Sequence, residues 1–246
     1  MSEEAIEFRT QDGTVDGYFY PPPSGDAAGV IHLTDIGGIR PAARELAARV
    51  AEQGFAVLLP NVFYRTDKPP VWKFPMVWGD DRSTQRFGEL VKPLTPDAVQ
   101  RDAAAFTEYL ASLKGVAKGK KMGVVGFCFT GSVAMRMAAA LPQKIGAVAS
   151  FHGGGLYNDS PASPHLILSQ IDKSTRLYFG HATEDRSMPA EAIGKLEAAL
   201  SGWGGKFESE IYPARHGWTM PGSQVYSEPD AERAFKKQIE VLSSLR

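Results

Sequence analysis

Short runs of consecutive apolar residues alternate with longer amphipathic stretches along most of this chain. The runs at 28–33 and 54–60 are apolar apart from His32, the pattern of strands buried on both faces. Between them, 41–53 carries Leu46 and Val50 at helical spacing, with Pro41 in a favourable first-turn position. A second helix is predicted over 96–113, with Phe106, Leu110 and Leu113 on one face. Val124 and Val125 mark a central strand, followed by strands at 147–151 and 176–180. A helix over 189–200, a strand over 207–212 and a closing helix over 229–245 complete the series. The first segment, 6–20, reads instead as a hairpin turning near Asp12-Gly13. Alternation of this kind predicts an α/β architecture, with a mostly parallel central sheet and helices on both faces. The one long irregular stretch, 63–94, holds Tyr64, Trp72, Phe74, Trp78, Phe87 and several prolines. So many aromatics favour packing over disorder, and the stretch reads as a cap over a functional site. With no repeat, low-complexity tract or linker, 1–246 is expected to form one domain.

The chemistry concentrates where one strand meets one helix. Residues 121–127 are an apolar strand running into Cys128-Phe129-Thr130-Gly131, and 132–140 follow as an alanine-rich helix. A nucleophile on a sharp strand-to-helix turn between small residues is the nucleophile elbow of α/β-hydrolases, here with a thiol in place of a hydroxyl. The turn lifts the side chain clear of the backbone, and the helix N-terminus behind it offers unpaired N–H groups. A lone cysteine is more often a small buried core residue. The flanking glycines, strand and helix favour the nucleophile instead.

A thiol nucleophile needs a base, and the base needs an acid to orient it. In α/β-hydrolases these follow in the order nucleophile, Asp/Glu, His, each on a loop after a later strand. The loop after the strand at 176–180 contains Glu184-Asp185-Arg186, and the loop after 207–212 contains His216. His216 is the candidate base and Asp185 its orienting acid, with Glu184 as the fallback. Asp172 precedes a strand and fits poorly. His152-Gly153-Gly154-Gly155 imitates an esterase oxyanion motif, but that motif belongs before the nucleophile, so this tetrapeptide is read as a structural turn. The oxyanion donors are expected to be the backbone N–H groups of Ile36, after the early strand, and of Phe129.

Composition narrows the partners. The net charge is −1, so there is no basic surplus for nucleic acid. No apolar run approaches the ~18 residues of a membrane span. The first residues are acidic and lack an apolar core, which argues against secretion, and a lone reduced thiol fits a cytoplasmic location. One cysteine excludes an internal disulfide and a thiolate-rich metal site, and the five histidines show no metal-binding spacing. The expectation is an enzyme without metal or cofactor, acting on a small molecule as a monomer or weak homodimer.

Together these motifs resemble the dienelactone hydrolase family over nearly the whole chain: G-F-C-F-T-G around Cys128, D-I-G-G after the first core strand, E-D-R-S-M-P around Asp185 and H-G-W at His216. The resemblance implies hydrolysis of a small ester or lactone through a thioester acyl-enzyme. It also implies that Asp35 contacts the resting thiol, one methylene shorter than the family's usual glutamate. Three departures qualify it. Thr130 replaces a glycine two positions after the nucleophile, crowding the turn. Met220 stands where the best-known members carry a carboxylate-binding arginine. The second such arginine is Arg82 or Arg86 in the cap, with a surface role for both as the alternative. Tyr64, Trp218 and Met220 are further substrate-binding candidates, and the aromatic surroundings (Trp72, Phe74, Trp78) suit an apolar acyl or alcohol group. The rival readings are a non-catalytic binding protein that keeps the fold and, without a resolving cysteine, a redox sensor.

Overall fold

The computed structural model describes residues 2–246. Its strands β1 (Glu4–Thr10) and β2 (Gly13–Tyr20) form the expected hairpin. Then follow β3 (Gly29–His32), α1 (Pro41–Glu52), β4 (Ala56–Pro60), α2 (Asp81–Val91) and α3 (Pro96–Ser112). The second half comprises β5 (Met122–Phe127), α4 (Thr130–Ala140), β6 (Ile145–Phe151), β7 (Arg176–Glu184), α5 (Ala190–Trp203), β8 (Lys206–Arg215) and α6 (Glu228–Leu242). A single eight-stranded sheet runs β1-β2-β4-β3-β5-β6-β7-β8. β1 and β2 are antiparallel to their neighbours and the other pairs are parallel. This is an α/β-hydrolase fold.

Strands β3 to β6 are almost wholly buried, which explains why they read as continuous apolar runs rather than alternating ones. Ile31, Leu58, Val124, Val148 and Leu177 face one layer, with Phe106 and Leu110 of α3, Ala134 and Met135 of α4, and Leu196 of α5. Val30, Val57, Val125 and Ala149 face the other, with Ala47 and Val50 of α1 and Val241 and Leu242 of α6. From β3 the chain crosses to β4 on one side, and from β5 to β6 on the other. The crevice between the carboxyl ends of β3 and β5 is therefore the topological switch point, where open α/β sheets bind ligands.

The sequence reading is corrected at two places. The cap stretch contains a helix, α2, started by Asp80, whose carboxylate accepts the Ser83 N–H at 2.7 Å. Its interior glycine and mostly polar exposed face hid the helical period. Strand β7 also runs on to Glu184, so the loop after it begins at Asp185.

A buried ion pair anchors the start of the cap. The Arg65 guanidinium donates to both oxygens of Asp102 on α3 at 2.8 Å, and Tyr64 donates its hydroxyl to the same carboxylate at 2.8 Å. Arg65 also reaches Asp12 in the hairpin turn at 2.6 Å. The paired side chains are only 12% and 6% exposed, so removing one partner strands a buried charge. Arg65→Met should cost about 3 kcal/mol or more, read from urea midpoints, and adding Asp102→Leu should recover much of it. Equal stability of wild type and single variant would show that the pair does not anchor the cap.

Candidate active site

Cys128 leaves β5 with φ +57, a left-handed conformation that a cysteine holds only under constraint. Its N–H is shared between Phe151 O at 3.1 Å and His152 Nδ1 at 3.0 Å, and its C=O accepts from Gly131 at 3.1 Å and Gly154 at 3.2 Å. Gly126 is obligatory here, because a Cβ on it would lie 2.2 Å from the Thr130 carbonyl oxygen. Thr130 does not crowd the bend. Its buried hydroxyl accepts the Phe127 N–H and donates to the Phe127 carbonyl, each at 2.8 Å. The close approach falls on the next residue, Gly131, whose absent Cβ leaves room for Ser150 and Gly153.

The structure brings Asp185 and His216 together. His216 Nδ1 donates to Asp185 Oδ2 at 2.7 Å, and Asp185 Oδ1 accepts from the Ser187 N–H at 2.8 Å and hydroxyl at 2.6 Å. The Asp185 side chain is 2% exposed, against 27% for His216. Burial pushes the Asp185 carboxyl up, but its bond to His216, the charge there and the Ser187 donors outweigh burial and hold it below its usual range. Burial likewise opposes charge on His216. Its hydrogen bonds with Asp185 and with the Cys128 thiol, and the attraction of both groups, win and raise it from 6.5 to about 10. Glu184, the fallback acid, points to solvent near Arg215, and Asp172 pairs with Lys121 at 3.0 Å.

Among the described residues, neither the Ile36 nor the Phe129 N–H has an internal acceptor. The loop carrying Ile36 is pinned from the cap, since Trp72 Nε1 donates to the Ile36 carbonyl at 2.8 Å. Asp35 sits on this loop with its carboxylate already engaged. Arg40 grips both of its oxygens, at 2.5 and 2.8 Å, and the Gly37 N–H donates to it at 3.0 Å. The thiol is not among its hydrogen-bond partners.

Packing corrects most of the substrate-binding expectations. Trp218 and Met220 are core residues, 0% and 3% exposed. Tyr64 is spent on Asp102, and it accepts from Thr10 at 3.1 Å. Arg86 donates to Val71 O, Asp67 and Glu89, which makes it a brace within the cap. Arg82 lies over the Phe74 ring at 3.7 Å and stays exposed. What remains is an apolar cavity of about 140 Å³ in the cap, lined by Trp72, Met76, Val77, Trp78 and Phe87 with Ser83 and Thr84. Three residues escaped the sequence reading, Arg40, Ser187 and Thr219, and His152 was read only as part of a structural turn. Ser187 stands two residues after Asp185, the usual offset of a residue closing an Asx turn, and was legible in principle. Among the described residues no cluster of three or more His, Cys, Asp or Glu is placed to hold a metal ion. Among the described residues, no helix is long and apolar enough to cross a membrane.

Comparison with known proteins agrees with this framework. The model of the dienelactone hydrolase family matches residues 15–245. A carboxymethylenebutenolidase of Rhodococcus opacus is 31% identical over 195 residues, spanning 77% of this chain and 68% of that protein. Among solved structures, a dienelactone hydrolase-like promiscuous phosphotriesterase from metagenomic libraries superposes with a TM-score of 0.77 at 20% identity, covering 100% of this chain and 99% of the other. The dienelactone hydrolase of Anabaena variabilis gives 0.65 at 17% identity over 100% and 99% of the two chains. At these identities the superpositions speak for the fold, and the near-complete family match carries the assignment: this chain is a member of the dienelactone hydrolase family, and a hydrolase.

Proposed function

We propose that the protein hydrolyses a small, uncharged carboxylic ester or lactone through Cys128, His216 and Asp185. The observation that carries this is the thiol on its strained bend, whose charge acts on an imidazole that a buried carboxylate orients at 2.7 Å. His216 takes the thiol proton, and the sulfur attacks the carbonyl carbon while the Ile36 and Phe129 N–H groups receive the negative oxygen. The C–O bond to the alcohol breaks as His216 returns the proton to the departing oxygen. Water, deprotonated by His216, then attacks the thioester carbon. The C–S bond breaks, and a carboxylic acid and the free thiol result.

The cap supports an apolar rather than anionic acyl or alcohol group. Its arginines are engaged with cap carboxylates, a carbonyl and a ring, while the cavity beside Trp72 is lined mainly by apolar side chains. The departures that motivated a non-catalytic binder also lose their force. Thr130 braces the bend and Met220 lies in the core.

Cys128→Ala should lower hydrolysis of p-nitrophenyl butyrate by about 10³-fold or more, as removal of a nucleophile does. Turnover within tenfold of wild type would remove Cys128 from that role. The sign of the His216 shift predicts the alkaline limb. A folded value raised above the unfolded one means that the charged form stabilises the fold fully below about pH 6.5, and that this contribution is lost as pH rises through about 10. The proton donated to the leaving group disappears over the same window, so kcat/KM should hold at pH 9 and fall near pH 10. A limb centred near neutrality would contradict it. Across p-nitrophenyl acetate, propionate and butyrate, each methylene should raise kcat/KM about threefold as it enters the cap cavity, and Trp78→Ala should flatten the series. A preference for a dicarboxylate ester over butyrate would refute the apolar assignment.

A further inference from the structure

Cys128 is not the only strained residue at this edge. Among the described residues, His152 is the other non-glycine with a left-handed backbone, at φ +39. It directly follows β6, and its N–H donates to Gly180 O at 2.7 Å. The side chain is 1% exposed and touches both halves of the reacting pair. On one side Nδ1 accepts the Cys128 N–H at 3.0 Å. A ring nitrogen that accepts carries no proton, so the ring proton is on Nε2, which therefore donates to Thr219 Oγ1 at 2.8 Å. Thr219 stands three residues after His216 on the same loop. The His152 ring also meets that of His216 edge-on, with centroids 5.0 Å apart and planes at 62°, and Trp218 closes its other side at 5.1 Å.

We propose that His152 is a positioning residue: a neutral imidazole that ties the backbone of Cys128 to the loop bearing His216 and so fixes the distance between sulfur and base. This rests on Cys128 and His216 acting as nucleophile and base. A backbone strain like that of Cys128 persists only where surrounding contacts over-determine it. His152 supplies one such contact, and it is the one that also reaches the base loop. The ring must stay neutral to do so, because protonation of Nδ1 would abolish its acceptor and set a second cation against His216. Burial, and then the charge of His216, hold its titration well below 6.5 against the weaker opposing pull of Asp185. Those two residues are the charged groups that act on the ring, and Cys128 and Thr219 are its hydrogen-bond partners. Asparagine at this position retains an acceptor near Nδ1. Phenylalanine retains the ring and loses both hydrogen bonds.

The test is the rate of iodoacetamide alkylation of Cys128 from pH 5 to 10, with melting temperatures recorded in parallel. This readout needs no substrate and belongs to the Cys128–His216 pair. In His152→Phe the profile should move to higher pH, with about a tenfold loss of rate at pH 6, the equivalent of one unit of titration. His152→Asn should restore the rate to within about threefold of wild type. A residue that only packs would change the melting temperature and leave the profile in place. An unmoved profile in folded His152→Phe overturns the proposal. Should that variant not fold, Thr219→Val removes only the Nε2–H acceptor and should shift the profile the same way by about threefold. No shift there also overturns it. A wild-type profile that His216→Gln leaves unchanged removes the Cys128–His216 pair itself, and the positioning role falls with it. A wild type that responds to His216→Gln beside an unmoved His152→Phe removes the positioning role alone.

Discussion

The bend at Cys128 depends on backbone approaching backbone with no side chain between. Gly126 lies against the first carbonyl of α4, and Gly131 lies against β6 and the turn beyond it. A methyl group at either place would push the strand from the helix, and the thiol would no longer stand over the sheet edge. The Thr130 hydroxyl then closes the bend by satisfying both polar groups of Phe127, which the turn would otherwise leave buried and unpaired. Everything that faces the thiol is set from this point, because the backbone groups of Cys128 reach Phe151, His152, Gly131 and Gly154.

Two imidazoles 5.0 Å apart have opposite tendencies, and their surroundings explain it. His216 keeps an opening to solvent, a buried carboxylate on Nδ1 and the thiol as a further partner, so charge is favoured. His152 is sealed, and both its nitrogens already serve neutral partners, so charge is excluded. Asp185 stays ionised although buried, since one oxygen faces His216 and the other accepts twice from Ser187. The polarity of the site follows from which group each ring meets, more than from its depth.

Much of this was legible in the residues. Fully buried parallel strands leave apolar runs, and chain order narrowed the candidate acid to Glu184 or Asp185 and the candidate base to His216, of which the structure pairs Asp185 with His216. The cap was harder to read. Helix α2 carries an internal glycine and a largely polar face, and it is held by Asp80, by Arg86 bracing Val71 and Asp67, and by packing of Phe87 and Leu90. Ser83, Phe87 and Leu90 do stand at helical spacing, but only two of them are apolar, too few to mark a helix among the prolines and aromatics of the cap. Trp218 and Met220 misled because aromatic and thioether groups beside a candidate base look like a pocket wall, whereas the chain turns both into the layer under α6. His152 was concealed by its glycines. The tetrapeptide read as a structural tight turn, while the imidazole at its head was the informative atom set.

The bond from Trp72 to the Ile36 carbonyl makes the cap and the early loop mechanically one piece. A peptide whose oxygen is held by an indole presents its neighbouring amides in a fixed direction, so under the proposed mechanism the cradle for the negative oxygen is braced by the roof. Any admission route that lifts Trp72 would slacken that cradle for as long as it stays open. One contact then couples the roof to the amide that the proposed mechanism sets against the negative oxygen.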